Sequence, residues 1–388
     1  MPSTHVLHIT TVPKSLRFIR GQIPFMRERG VELSFATSPG DDQEVRRFER
    51  EHDVKVHTVE MPRKISPIAD LRALVKLTLL IQRLRPDIVH AHTPKGGLLG
   101  MMAATLCNHP ARVYHMRGLP MMTATGKKRE LLTMTERISC GCAHRVICVS
   151  HSLREVALEH GLVRSDRIEV MAGGSGQGVD ALHRFAPETY TEKDRAMLRE
   201  ELEIAQDALV VGFIGRLVKD KGIVELTRAW ERLHREHPGA YLVCVGDFEE
   251  RDPVPHEIKV LLESLPRTKL VGWREDTPRY YAIMDVLTLP TYREGFPNVP
   301  LEAAAMKVPV VATRIPGCVD AVEEEVTGKL VPPRDVDALT DALDAYMRDE
   351  ALREVTGERA RARVLERFLP EQIFAGIDEV YRELLRGK

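Results

Sequence analysis

Short apolar runs recur along this chain, each followed by a segment long enough for a helix, and no other feature limits the fold so strongly. His5-Val-Leu-His-Ile opens the first series, which continues through residues 31–37, 54–59, 87–91, 111–115 and 145–150. Between them lie a basic amphipathic stretch at 19–29, closed by Gly30, and residues 71–84, where leucines and arginines recur at helical spacing before Pro86. Runs this short are strands, and strands joined by helical crossovers pair in parallel. A second series follows at 209–215, 240–246, 268–272, 286–289, 308–313 and 328–332. The expected fold class is α/β: two Rossmann-like, doubly wound parallel-sheet domains facing a cleft.

Between residues 172 and 195 the alternation breaks. Ala172-Gly-Gly-Ser-Gly-Gln-Gly178-Val-Asp180 is dense in glycine, which suits either a hinge or a close approach of backbone to ligand. Residues 1–185 are therefore the expected first domain and 186–368 the second, while 369–388 carry a C-terminal helix, amphipathic over 372–385, that is expected to return to the first domain. A chain of 388 residues is long for one core and comfortable for two. Its formal net charge of -1 conceals an asymmetry. Up to Glu188 there are 27 Lys and Arg against 19 Asp and Glu, a surplus of 8, and beyond it 29 against 38, a deficit of 9. A basic first half and an acidic second half suggest different partners, or halves that attract each other.

The first apolar run is too short and polar for a signal peptide, and the longest, at 96–107, is too short to span a bilayer. Six cysteines without zinc-type or redox-type spacing are expected to be reduced and mostly buried. A cytoplasmic location follows as the expectation.

Chemistry concentrates in Thr291-Tyr-Arg-Glu294-Gly-Phe-Pro-Asn298-Val-Pro-Leu-Glu302, between the apolar run 286–289 and the helix-forming stretch 301–306. At the carboxyl edge of a parallel sheet such turns meet ligands, and the amides of a helix start favour an anion. Two carboxylates there need separate explanations. One suits a pair of sugar or ribose hydroxyls and the other a reacting centre. Alternatively, Glu294 is a solvated loop acid and Glu302 a first-turn acid favoured by the helix dipole.

With both series laid out, the chain resembles the family 4 glycosyltransferases, whose fold is called GT-B. Three segments carry the likeness. Gly215-Arg216-Leu-Val-Lys-Asp-Lys221-Gly222 is similar to the family's Gly-Arg-x5-Lys-Gly type segment, slightly shortened, and the stretch from Glu294 to Glu302 to its Glu-x7-Glu segment. Val271-Gly272-Trp273-Arg274, with Tyr280-Tyr-Ala-Ile-Met-Asp285-Val behind it, looks like the base-side turn and following helix. His8-Ile-Thr-Thr-Val-Pro-Lys-Ser-Leu-Arg, Asp87-Ile-Val-His-Ala-His-Thr-Pro-Lys-Gly, His115-Met-Arg-Gly-Leu-Pro and Pro316-Gly-Cys-Val-Asp320 resemble, within the family, bacterial enzymes that extend polyprenyl-diphosphate-linked saccharides for surface polysaccharide or glycoprotein assembly.

The resemblance implies a retaining, metal-independent hexosyltransferase with a nucleotide-sugar donor, a UDP-sugar ahead of GDP or ADP conjugates, and no cofactor. Glu294 would hold the donor sugar near its anomeric carbon, and Glu302 the ribose hydroxyls. The base would rest at Gly272, Trp273 and Arg274, although Trp273 also suits plain core packing. A departing diphosphate gathers negative charge, which fixed cations and backbone donors stabilise. Arg216 and Lys221 supply a fork and a point charge, joined by Gly215 and the turn of Phe296, Pro297, Asn298 and Val299. The first domain departs from the family twice. Thr10-Thr-Val-Pro13-Lys14-Ser15 replaces a glycine-rich turn, and Arg117 precedes Gly118 where many members carry a histidine. Arg117 would then be a charge on the diphosphate or donor sugar, not a base; His115 is a second candidate or a structural residue.

On the acceptor side, Lys14, Arg17, His92 and Lys95, with the basic faces of helices at 16–29 and 71–85, are expected to meet a lipid-linked or saccharide acceptor, its diphosphate, or anionic headgroups at the inner face of the cytoplasmic membrane. Solvated helix faces are the alternative. Nucleic acid is not an expected partner. Nor is a metal: Asp335-Val-Asp337 opens a helix, where acids cap, and His90 and His92 share a strand face with no third ligand apparent. Two other functions stay open, a nucleotide-sugar epimerase of the same fold and a non-catalytic nucleotide-sugar-binding subunit. A donor-only assay separates the epimerase from a transferase.

Overall fold

The computed structural model describes residues 4–62, 64–250 and 252–386. Two compact units divide the chain: the first runs to Gly178 and resumes at Pro370, and the second is Val179–Leu369. The division falls earlier than 185 because Val179, Ala181 and Phe185 are buried in the second unit's core. Ile373, Phe374, Ile377, Val380 and Tyr381 of the last helix are buried in the first unit's core.

The first unit holds β1 (Thr4–Ile9), β2 (Val31–Thr37), β3 (Lys55–Thr58), β4 (Ile88–His92), β5 (Arg112–Met116), β6 (Arg145–Cys148) and β7 (Ile168–Val170). All pair in parallel, in the order β3-β2-β1-β4-β5-β6-β7. The last strand has no counterpart among the expected runs: three residues with a glutamate in the middle carry too little apolar pattern. The expected helix at 19–29 is instead a 3-10 turn, Pro13–Phe18, and a separate helix, Gln22–Arg27. Its apolar residues Leu16, Ile19, Ile23 and Met26 are all buried, so that face belongs to the core. Helices Pro67–Leu84, Pro94–Leu106 and Gly126–Cys142 pack in a row, and Gln22–Arg27 packs against Pro370–Arg386.

The second unit holds β8 (Val210–Ile214), β9 (Tyr241–Val245), β10 (Thr268–Gly272), β11 (Val286–Leu289), β12 (Val310–Thr313) and β13 (Gly328–Val331), in the order β10-β9-β8-β11-β12-β13. In both sheets the chain order doubles back beside its first strand, between β1 and β4 and between β8 and β11. That reversal opens a crevice at the strands' carboxyl ends, where doubly wound sheets take their ligands. The loops that follow β8 and β11 are the two segments richest in expected site residues.

The six cysteines are free thiols, four buried and two partly so. No helix among the described residues is long and apolar enough to cross a membrane.

Candidate functional site

Because β8 and β11 are neighbours, the loops leaving their carboxyl ends rise side by side. Gly222 lets them touch. Its φ is +71°, and a Cβ there would lie 2.0 Å from the Pro290 carbonyl oxygen, so only glycine fits. The backbones are then fastened, Tyr292 N donating to Asp220 O at 2.8 Å and Thr291 Oγ1 to the same oxygen at 3.1 Å. Lys221 and Glu294 consequently form an ion pair with side chains only 19% and 15% exposed. Arg216 is exposed and turns away from that pair, its Nη1 donating to Glu249 Oε2 at 2.8 Å. Gly215 separates Arg216 from the end of β8.

Helix Asn298–Ala305 starts beyond Pro297, which is its N-cap and has no N–H to give, so the first amides of the helix are those of Asn298 and Val299. Phe296 packs its ring against Phe368 at 5.7 Å. Glu302 lies beyond the first turn, where the dipole has little hold. Its Oε2 accepts from the buried Tyr281 hydroxyl at 2.8 Å. Burial, and then the Glu302 carboxylate, holds Tyr281 well above the ordinary phenol value, so it stays a donor.

At the end of β10, Trp273 is 59% exposed, which excludes core packing. Its backbone N–H donates to Asp247 Oδ1 at 3.0 Å, and Arg274 Nη1 folds back on the Trp273 carbonyl at 3.0 Å. Gly272 sits with the same carboxylate 3.4 Å from where a Cβ would be.

The first unit gathers four histidines on one sheet face. His8 pairs in register with His90, and His92 with His115. All four are buried, which excludes the expectation that His92 faces an acceptor from the strand end. His8 Nδ1 and His92 Nε2 are 2.8 Å apart, and His90 Nδ1 is 2.6 Å from the Tyr381 hydroxyl. Desolvation drives every imidazole well below its usual value, His8 to about 3, so the cluster is uncharged near neutrality. The third imidazole missing from the sequence pattern is His8: ring nitrogens of His8, His90 and His92 lie within 4.8 Å of one another. Three neutral imidazoles suit a metal ion, but Arg117 Nε, 3.3 Å from His92 Nδ1, sets a fixed positive charge against one.

Lys95 is paired within the first unit. Its Nζ is bound to Asp70 Oδ1 at 2.8 Å and to the carbonyls of Pro62 and Lys64 at 2.5 Å each. Lys14 and Arg17 are exposed, with the Arg17 guanidinium 4.9 Å from the Phe18 ring centroid. In the second unit Asp335 caps helix Val336–Arg348 by accepting from Ala338 N at 2.9 Å, and Asp337 pairs with Arg232.

Comparison with known proteins now decides the family. The profile described as "Glycosyl transferase 4-like domain" matches residues 17–174, and that described as "Glycosyl transferases group 1" matches residues 208–349. The capsular polysaccharide biosynthesis glycosyltransferase CapM of Staphylococcus aureus is 32% identical over 387 residues, covering 100% of this chain and 99% of its own. The chain belongs to the group 1 glycosyltransferases. An Escherichia coli UDP-Gal:alpha-D-GlcNAc-diphosphoundecaprenol alpha-1,3-galactosyltransferase is 28% identical over 330 residues, covering 84% of this chain and 83% of its own. Among solved structures, a glycosyltransferase from Rickettsia africae matches with a TM-score of 0.82 at 20% identity over 100% of both chains. Anabaena Alr3699/HepE, solved with UDP and glucose, matches with a TM-score of 0.77 at 22% identity, over 96% of this chain and 98% of its own. These neighbours share the GT-B fold.

In this glycosyltransferase the sequence singles out Lys221, Glu294, Glu302, Arg216 and Trp273, and the structure pairs Lys221 with Glu294 and gives Glu302, Arg216 and Trp273 partners the sequence did not show. Asp247, Glu249 and Tyr281 were missed. The signal for Asp247 is visible in hindsight: an acid two residues past an apolar strand, at the same sheet edge as Arg216. For Tyr281 there is none, because its reach to Glu302 depends on how two helices pack.

Proposed function

We propose that this glycosyltransferase moves a sugar, with retention of anomeric configuration and without a metal ion, from a UDP-sugar to a polyprenyl-diphosphate-linked saccharide in the assembly of a bacterial surface polysaccharide. Its first support is Lys221 and Glu294 paired on adjacent loops at the β8–β11 switch point, with Glu302 on the helix that follows β11. Breaking the bond from the anomeric carbon to phosphate leaves charge on the diphosphate, and Arg216, Lys221 and the positive end of helix Asn298–Ala305 suit it. Lys221 leaves Glu294 when phosphate takes its place, which frees the carboxylate to accept from sugar hydroxyls. Glu302, oriented by Tyr281, suits the ribose diol, and the exposed Trp273 turn suits a base. Within the first unit, Arg117 is a separate cation suited to a substrate phosphate. The names of the relatives support the substrate class: CapM acts in capsular polysaccharide biosynthesis, and the Escherichia coli enzyme uses UDP-Gal and a diphosphoundecaprenol acceptor.

A lipid-linked acceptor requires contact with a membrane surface. Helix Pro67–Leu84 carries a stripe suited to it: Ile68, Leu71, Val75 and Leu79 recur at helical spacing and are 71%, 62%, 51% and 59% exposed. Arg72, Lys76 and Arg83 are exposed on the same helix, whose only acid, Asp70, is bound to Lys95. Burying one such apolar side chain contributes about 1.5–3 kcal/mol, and each basic residue near anionic lipid about 1 kcal/mol. This helix, rather than 16–29, is therefore the contact we assign, at the inner face of the cytoplasmic membrane.

The test is transfer from UDP-sugars to a synthetic polyprenyl-diphosphate saccharide, with EDTA present and the product anomer read by NMR. Turnover that survives EDTA, retains configuration, and falls about 10²–10³-fold in Glu294→Ala and Arg216→Ala is expected. Donor hydrolysis or epimerisation without acceptor, or full turnover in both variants, contradicts the reading.

A further inference from the structure

Arg117 is a charge without a counter-charge. Its Nε donates to His92 Nδ1 at 3.3 Å, and its Nη2 lies 3.5 Å from the Gly176 carbonyl. The Phe18 ring centroid is 5.7 Å from its Cζ, and a Cβ on residue 176 would stand 2.2 Å from its Nη1. Among the described residues no carboxylate is within ion-pair distance of it. Burial lowers its pKa to about 10, which still leaves it protonated at neutral pH. A partly exposed cation whose neighbours His92, Gly176 and Phe18 are all neutral calls for an anion from outside the chain.

The hydrogen bonds behind it can be directed without ambiguity. A guanidinium only donates, so His92 Nδ1 accepts, and a neutral imidazole with a bare Nδ1 carries its proton on Nε2. That Nε2 is 2.8 Å from His8 Nδ1, which must accept in turn, leaving the proton of His8 on its own Nε2. We propose that His92 and His8 form a tautomer relay that fixes the guanidinium of Arg117 toward the diphosphate of a substrate. The relay rests on the phosphate role proposed for Arg117, and it makes His92 and His8 positioning residues.

The surroundings favour it. His8 and His92 are 0% and 1% exposed, so no water competes for their nitrogens. The ionisable groups facing them are His90 from β4 itself, His115 from β5, Arg117, and Tyr381 from the last helix, whose Asp378 is bound to Arg382. A proton added to any of the four imidazoles would lie beside Arg117, so each stays neutral and the bare nitrogen of His92 stays an acceptor. The diphosphate belongs either to the nucleotide sugar or to the lipid-linked acceptor.

Selective ¹⁵N-histidine labelling reads the tautomers in the wild-type chain, with His8→Gln and His92→Gln supplying the assignments. The relay predicts bare Nδ1 and protonated Nε2 at both positions from pH 8 to pH 6. A protonated Nδ1 at His92, or an imidazolium there, overturns it. Steady-state kinetics supplies the second readout. His92→Phe keeps a ring but no acceptor, and is expected to raise the KM of one diphosphate-bearing substrate about tenfold with little change in kcat; His92→Asn, whose Oδ1 stands where Nδ1 does and accepts, recovers most of the loss. Varying donor and acceptor in turn identifies which substrate it is. In an Arg117→Gln background, His92→Phe should add nothing, and an undiminished effect there overturns the relay. If Arg117→Gln alone leaves both KM values and the binding of inorganic pyrophosphate unchanged, the phosphate role of Arg117 fails, whatever the tautomers.

Discussion

Glu136 is a carboxyl placed where water cannot reach it, and its titration has a definite sign. Its Oε2 accepts from the Tyr114 hydroxyl at 2.8 Å, yet burial outweighs that bond and raises its pKa from 4.5 to about 7. The native state therefore holds a proton that the unfolded chain releases. Its contribution to stability is complete below pH 4.5 and is lost as the pH rises to about 7, a difference of about 3 kcal/mol. Glu136→Gln, neutral at every pH, is expected to remove that slope and to raise the thermal midpoint at pH 8 while leaving pH 5 nearly unchanged. Equal midpoints of variant and wild type at pH 8 would show that Glu136 ionises at an ordinary pH. Side chains such as Lys221, Glu294 and Glu302 were legible in the sequence because their chemistry belongs to strand-to-helix turns. Their pairing was not: nothing in the order of residues says that Lys221, and not Arg216, meets Glu294. His8, likewise, becomes a neighbour of His92 only through the β1–β4 register.

Helix Pro67–Leu84 illustrates how far an element can be read from its pattern. Its leucines recur at helical spacing, so its existence was legible, and Ala73, Leu77, Leu80 and Ile81 do face the core. The sequence could not say that a second apolar row, Ile68, Leu71, Val75 and Leu79, would find no cover within its unit. Replacing Leu71 and Val75 with Glu should therefore cost the folded state little and the membrane much. Co-sedimentation with anionic vesicles is expected to fall more than about tenfold, while transfer to a water-soluble acceptor continues. Retained vesicle binding would move the contact elsewhere, and a chain that becomes monodisperse only on mutation would point to self-association through the stripe. The stretch at 19–29 is not a single helix, since a turn at 19–21 separates Pro13–Phe18 from Gln22–Arg27, and at Gly21 a Cβ would press on the Phe374 ring at 3.3 Å. That contact joins residues at opposite ends of the chain and leaves no local signal.

Across the chain, the alternation of strands and helices specified both sheets, and it missed only β7, too short and too polar to announce itself. The charge asymmetry was equally visible, and the basic half does carry the uncompensated Arg117 and the stripe with its flanking cations. The histidine cluster adds an acid limit to the same half. Because burial holds these four imidazoles below 6.5, the unfolded chain takes up protons first, so stability present above pH 6.5 drains away as the pH falls.

Equilibrium titration tests, without any acceptor, whether the crevice at β8 and β11 is a nucleotide-sugar site. Calorimetric titration of UDP, with GDP and ADP as controls and EDTA present, should give one saturable site for UDP in the wild type. Glu302→Gln and Arg216→Ala should weaken it about tenfold or more, as loss of a charge-assisted hydrogen bond does. No binding of any nucleotide to the folded wild type, or UDP affinity untouched by both substitutions, would contradict the assignment.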